Sequence, residues 1–210
     1  MRLLLLSLHA GAVRAFLDDP DDGDAAASGP IVYVADAQAA FPDAPFVAAE
    51  RETVRSFGRE VVEVTLRDTS PQDAAALLAD AGAVYVAGGS TFALLEALRL
   101  SGNDAVLVDR VREGLPYIGL SAGSIVAGPD VTPASLMDDP ADGPALVSRA
   151  GLGLVDVTVI PHADGALPPY PTELIDRTID AYGSDFALLP LRDDQAFLVD
   201  GETATVVGST

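Results

Sequence analysis

Tyr117-Ile118-Gly119-Leu120-Ser121-Ala122-Gly123-Ser124-Ile125-Val126-Ala127-Gly128-Pro129 joins three things: a run with strand character, a Gly-x-Ser-x-Gly turn, and small and branched residues able to open a helix. That is the pattern of a nucleophile elbow. The turn is so tight that neighbouring side chains would collide, so glycine flanks the serine at two removes and alanine follows it. The Ser121 hydroxyl is thereby lifted off the backbone at a strand's end, and the Ala122 amide points into the same space, where it can stabilise an oxyanion. Ser121 is the candidate nucleophile. Gly-x-Ser-x-Gly also arises in ordinary Gly- and Ser-rich loops; the strand before it and the helix-like exit separate the two readings.

Upstream, Ala83-Val84-Tyr85-Val86-Ala87 reads as a buried strand running into Gly88-Gly89-Ser90-Thr91 and a helix over Phe92 to Leu100. Backbone amides gathered at a helix N-terminus make Gly88-Gly89 an anion-stabilising site, and Ser90 and Thr91 are candidates for substrate binding. The alternative is a plain tight turn capped by Ser90 or Thr91. Arg2 to Leu8, Ile31 to Ala35 and Val61 to Leu66 are further strands, continuous rather than alternating in apolarity, as a sheet covered on both faces requires. Helical patterns fall over Phe46 to Phe57, after Ser70-Pro71, and over Asp104 to Glu113. Past the elbow, strands are expected at Leu154 to Ile160 and Phe186 to Leu189, followed by a hairpin, Gln195 to Val199 and Thr203 to Val207, around Asp200-Gly201. The expected fold is α/β: one domain over residues 1–210, a mostly parallel sheet flanked by helices, a C-terminal β-hairpin, and ligands at the strands' C-terminal ends.

Composition narrows the function classes. Thirty-two acids stand against 12 basic residues, a net charge of −20, and every basic residue is Arg. Such a field repels nucleic acid and anionic membrane surfaces, so neither is expected as a partner. The acids are scattered rather than clustered, which fits a hydrated surface suited to high salt better than a site for one cationic ligand. Asp18-Asp19-Pro20-Asp21-Asp22-Gly23-Asp24 reads as a solvated loop, since it lacks the closing Glu of a calcium loop. The absence of cysteine excludes disulfides, a thiolate nucleophile and Cys-ligated metal, and no metal or other cofactor is expected. Met1 to Leu8 is better explained as a buried first strand than as a signal peptide, and a cytoplasmic location is expected.

A serine nucleophile needs a base, and the sequence holds two histidines. His162 follows a strand end downstream of the elbow, at the same expected sheet edge; His9, at the end of the first strand, is the reserve. A carboxylate should fix the imidazole. The chain order Ser, Asp, His directs attention to the segment carrying Asp130, Asp138, Asp139 and Asp142. Asp130 follows Pro129 too closely, Asp142 lies in an Ala-Asp-Gly turn, and Asp139 precedes Pro140 and is biased outward. Asp138, behind Leu136 and Met137, is the choice, with Asp139 and Asp130 as alternatives.

Tyr85-Val86-Ala87-Gly88-Gly89-Ser90-Thr91-Phe92, the Tyr117 to Pro129 stretch and Ile160-Pro161-His162 together resemble the peptidase E group, the aspartyl dipeptidases of serine peptidase family S51, with a class I glutamine amidotransferase-like, flavodoxin-like fold. The resemblance implies Ser121 as nucleophile, His162 as base, an oxyanion hole from Ala122 and Gly88 or Gly89, and hydrolysis of a small peptide. Its amidotransferase cousins carry Cys at the elbow, so glutaminase chemistry is not expected. Two departures stand out. The acid that follows Ala-Gly-Pro in the family does not register cleanly with Leu136-Met137-Asp138-Asp139-Pro140, and the Arg that holds an acidic substrate side chain has only Arg177 as counterpart. A non-catalytic small-molecule binding module on the same fold is the alternative. The oligomeric state is left open, with a homodimer as candidate.

Overall fold

Successive residues of a strand face opposite sides of its sheet, so an unbroken apolar run is stable only where both sides are covered. The computed structural model describes residues 1–18 and 29–210 and meets that condition. In β1 (Arg2–Leu6), Leu3 and Leu5 enter one core while Leu4 and Leu6 enter another. β2 (Ile31–Val34), β4 (Ala83–Val86) and β5 (Tyr117–Leu120) divide in the same way. The first core is closed by α3 (Pro71–Ala79), α4 (Thr91–Ser101), α5 (Asn103–Arg112) and α6 (Ala122–Val126). The second is closed by α1 (Val13–Leu17) and by Val54 of α2 (Pro45–Arg55). Ser70 and Ser90 cap α3 and α4 through their hydroxyls, as hydroxyl residues at that position do.

With β3 (Val61–Val64), β8 (Gln195–Asp200) and β9 (Thr203–Gly208), the sheet runs β3-β2-β4-β5-β1-β8-β9. The pairings from β3 to β1 are parallel; β8 and β9 form the expected hairpin, antiparallel to each other and to β1. β5 lies between β4 and β1, with Val86 opposite Gly119 and Leu6 opposite Leu120. The residues just past these three strands therefore share one edge, where ligands of open α/β sheets bind.

Two features depart from the sequence reading. β6 (Thr158–Ile160) is shorter than the expected Leu154 to Ile160 strand, because the Leu152 and Leu154 amides donate to Val126 and Ala127 and hold that segment on the end of α6. β6 also pairs in parallel with β7 (Leu188–Pro190) as a separate two-stranded sheet instead of extending the main one. Between them lies α7 (Thr172–Tyr182), which the sequence reading left unassigned and which buries Ile175 and Thr178. Of the acidic run, Asp19 to Asp24 lies outside the described residues. Among the described residues no helix is long and apolar enough to cross a membrane.

A net charge of −20 makes the folded surface repel itself, and salt screens that repulsion over about 10 Å at 0.1 M. The melting temperature is expected to climb smoothly as potassium chloride is raised toward molar levels. A flat or falling melting temperature would remove the high-salt reading of the composition.

Candidate active site

The elbow is built by close contacts that leave no room for side chains. A Cβ on Gly119 would lie 2.5 Å from the Gly123 carbonyl oxygen, and one on Gly123 would lie 2.2 Å from that of Val86. The Tyr117 hydroxyl donates to Gly123 O at 2.6 Å, and Ser124 Oγ reaches Leu6 O and Gly119 O at 2.7 and 2.8 Å. These bonds pin the start of α6 to the ends of β1 and β5. Between the glycines Ser121 adopts φ 47° and ψ −104°, and its N–H donates to Leu6 O. Only one other non-glycine described residue has positive φ: His162, at 61°. Backbone of this kind costs on the order of 1–3 kcal/mol per residue and persists where the surroundings impose it.

The two strained residues meet. Ser121 Oγ lies 3.1 Å from His162 Nε2, and His162 Nδ1 lies 2.7 Å from Oδ1 of Asp193. Asp193 follows β7 and is buried, at 4% exposure. Ser7, at the end of β1, ties the pair together: its hydroxyl donates to Asp193 Oδ1 at 3.3 Å and accepts the His162 N–H at 2.7 Å. The Asp193 N–H donates to Asp164. The Tyr170 ring stacks on the imidazole, centroids 4.7 Å apart and 8° from parallel. Burial pulls the His162 pKa below its ordinary value, and the Asp193 carboxylate opposes the shift without cancelling it. The neutral form of the imidazole is thereby favoured. With Nδ1 donating to Asp193, Nε2 is free to accept the serine proton.

Asp138, the acid expected beside His162, bonds to other groups. Asp138 Oδ2 accepts from the Thr91 N–H at 3.0 Å and from the Thr91 hydroxyl, and Oδ1 accepts from the Tyr170 hydroxyl at 3.3 Å. Its carboxyl group is pushed above the usual range by burial, with the Thr91 bonds opposing. It braces the tyrosine stacked on His162; Asp193, not Asp138, contacts the imidazole. The alternatives are also engaged locally: Asp130 accepts from Thr132 N and Asp139 from Ala141 N. The reserve base His9 is exposed, and its N–H donates to the Asp193 carbonyl.

Of the candidate oxyanion donors, Gly88 is buried and its N–H donates to Glu50 Oε1 at 3.1 Å, which leaves Gly89 and Ala122. Ser90 is 1% exposed and caps α4 through Ala93 N; Thr91 is fully buried and serves Asp138. Neither hydroxyl is presented to a substrate. Arg177 is exposed on α7, two residues from the inward-facing Ile175 and so on the helix's far side. Sequence reasoning missed Asp193, Ser7, Tyr170 and Glu50. The parallel register of β6 and β7, Ile160 opposite Pro190, brings the residues after each strand together and is the signal that leads from His162 to Asp193.

A strained serine beside a neutral histidine and a buried carboxylate, at the C-terminal edge of a mostly parallel sheet, is the equipment of an α/β serine hydrolase. Residues 23–207 match the model of peptidase family S51. The chain belongs to that family and is, by that membership, a serine-type peptidase. An uncharacterized peptidase of Pasteurella multocida is 31% identical over 164 residues, 78% of each chain. A probable alpha-aspartyl dipeptidase of Drosophila melanogaster is 31% identical over 172 residues, 78% of this chain and 67% of that one. The fold is shared with the crystal structure of a protein provisionally assigned as a peptidase E from Listeria monocytogenes, at a TM-score of 0.83 and 21% identity, covering 100% of this chain and 98% of that one.

Proposed function

We propose that the chain hydrolyses dipeptides or other short peptides by acyl transfer through Ser121, with His162 as general base and Asp193 as the orienting acid. The observation that carries this reading is the continuous relay from Ser121 Oγ to His162 Nε2, 3.1 Å, and from Nδ1 to Asp193, 2.7 Å. His162 takes the hydroxyl proton as Oγ attacks the peptide carbonyl. The tetrahedral oxyanion is held by the amides of Ala122 and Gly89, and the imidazolium is steadied by Asp193. Its proton then passes to the leaving amine. A water molecule, deprotonated by the same imidazole, cleaves the acyl-enzyme ester and restores the serine. Selection of an acidic substrate side chain by Arg177 is not part of the reading, since that guanidinium stands on the outer side of α7.

Exposure to a fluorophosphonate probe, with a dipeptide panel that includes N-terminal aspartyl substrates, tests the proposal. Labelling at Ser121 and hydrolysis of at least one dipeptide are expected; a folded protein that does neither is a binding module.

The acid side of the pH profile provides a further check. Because burial holds the His162 pKa below the ordinary 6.5, the base form persists into mildly acidic solution. The rise of kcat/KM with pH is expected to have its midpoint below 6.5, and a midpoint above 6.5 would count against the buried base.

A further inference from the structure

Beneath the Gly88–Gly89 turn lies a group of buried polar side chains that the relay does not use. Glu50, on α2, is 8% exposed, and its Oε1 accepts the Gly88 N–H at 3.1 Å. Gln38 Nε2 lies 3.1 Å from Glu50 Oε2 and 2.6 Å from the Tyr33 hydroxyl. Tyr85, stacked on Tyr33 with centroids 5.6 Å apart, has a buried hydroxyl with no hydrogen-bond partner, and so does the Gln38 side-chain oxygen. The nearest cation in sequence, Arg51, turns away from Glu50 to grip Glu63 of β3 in a two-pronged ion pair. A carboxyl group is thus walled in by two tyrosines, an amide and a backbone N–H; Arg51, committed to Glu63, acts on it only as a more distant charge. Its position beside the nucleophile is fixed by register. Val86 pairs with Gly119, and two residues further along each chain stand Gly88 and Ser121. A Cβ on Gly88 would touch both Leu120 O and Glu50 Oε2, at 3.5 and 3.6 Å.

Resting on the acyl-transfer reading above, we propose that Glu50 is a positioning residue of the peptidase site: a neutral carboxyl group that anchors the Gly88–Gly89 turn beside Ser121 and impairs catalysis when it ionises. The anchoring follows from geometry. With its N–H turned inward onto Oε1, Gly88 sets the plane of its peptide and thereby the direction of the next amide, that of Gly89. The neutral state follows from the surroundings. The carboxyl is 8% exposed, and the groups bonded to it, the Gly88 N–H and Gln38 Nε2, are uncharged. Burial pushes the Glu50 pKa up to about 7, against the opposing bonds from Gly88, Gln38 and Tyr33 and the more distant charge of Arg51. Ionisation would strengthen the Gly88 bond but leave a buried negative charge one residue from where the oxyanion forms. At an effective dielectric of about 20, repulsion between charges a few ångströms apart exceeds what charge assistance adds to a hydrogen bond.

The test compares Glu50→Leu, which removes the acceptor, with Glu50→Gln, which keeps an acceptor and cannot ionise. At pH 6, Glu50→Leu is expected to lose about 100-fold in kcat with KM within about twofold, the scale of one oxyanion contact. Glu50→Gln should stay within about threefold of wild type. Above pH 7 wild-type kcat should fall by about tenfold by pH 8.5, and Glu50→Gln should lack that fall. Linkage supplies a readout separate from activity. A carboxyl whose folded pKa lies above its unfolded value contributes stability at low pH and loses it as pH rises through 7. Glu50→Gln should therefore melt about 5 °C above wild type at pH 8 and close to it at pH 5.

A folded Glu50→Leu protein with wild-type kcat, or an alkaline fall retained in Glu50→Gln, overturns the proposal. If the leucine variant does not fold, the glutamine pH profile decides alone. Fluorophosphonate labelling of wild type at pH 6 separates the two levels: an unlabelled Ser121 defeats the serine mechanism itself, whereas labelled Ser121 with unresponsive Glu50 variants defeats only the role of Glu50.

Discussion

Replacing Ser121 with alanine is expected to lower kcat for the best dipeptide by about a million-fold, and replacing His162 with alanine to cost about as much, because the two act as one unit. The double variant should then be scarcely worse than either single one. Its residual activity would reflect binding and the backbone donors alone. Folding should survive both changes. Ser121 Oγ points away from the core toward the imidazole, and its alanine keeps the bond from its own N–H to Leu6 O. His162 is buried at 2% exposure, so its loss leaves a small void against Tyr170 and frees Asp193 from its partner. A modest fall in melting temperature is expected there and none at Ser121. Parallel measurements of turnover and thermal melting separate chemistry from stability. An active His162→Ala protein would place the base elsewhere.

The second large effect concerns the acid. Asp193→Asn is expected to lower kcat about ten-thousand-fold with little change in KM, because an amide at Nδ1 favours the wrong tautomer and cannot steady an imidazolium. Asp138→Asn should cost no more than about tenfold. Its oxygens serve Thr91 and Tyr170, and an asparagine oxygen can still accept from the Thr91 amide. The ranking of these isosteric variants is the decisive measurement: a collapse at 138 with near-normal turnover at 193 would reverse the assignment.

The difference between these two acids explains how much could be read from the sequence. The elbow was legible because its constraint is local. Gly119 and Gly123 are excluded from carrying side chains by atoms within a few residues and by the adjacent strand, and Tyr117 to Leu120 has no alternative to burial. The doubly covered sheet was legible for the same reason, since Leu3 to Leu6 must face two cores. His162 could be reached by scarcity: there are only two histidines. Asp193 could not, because its place depends on the pairing of β6 with β7, two three-residue strands too short to signal a partner. The chain order Ser, Asp, His then directed the search to the segment before His162, whereas the carboxylate in contact with the imidazole lies after it. Glu50 was hidden by its helix. Between Ala49 and Arg51 it reads as a surface acid, and only the fold turns it inward toward Gly88.

Ser7 gives the relay a topological cost that its distances do not express. The serine lies 186 residues from the carboxylate it touches and 155 from the histidine amide it accepts, and β1 is gripped between β5 and β8. Closing loops of that length is slow, and such contacts form only once much of the remaining chain is in place. The elbow needs only β5, α6 and their neighbours, whereas the contacts of Ser7 with His162 and Asp193 need β1 and the segments after β6 and β7 as well. The contacts at His162 can therefore be complete only when the first strand has met the last third of the chain.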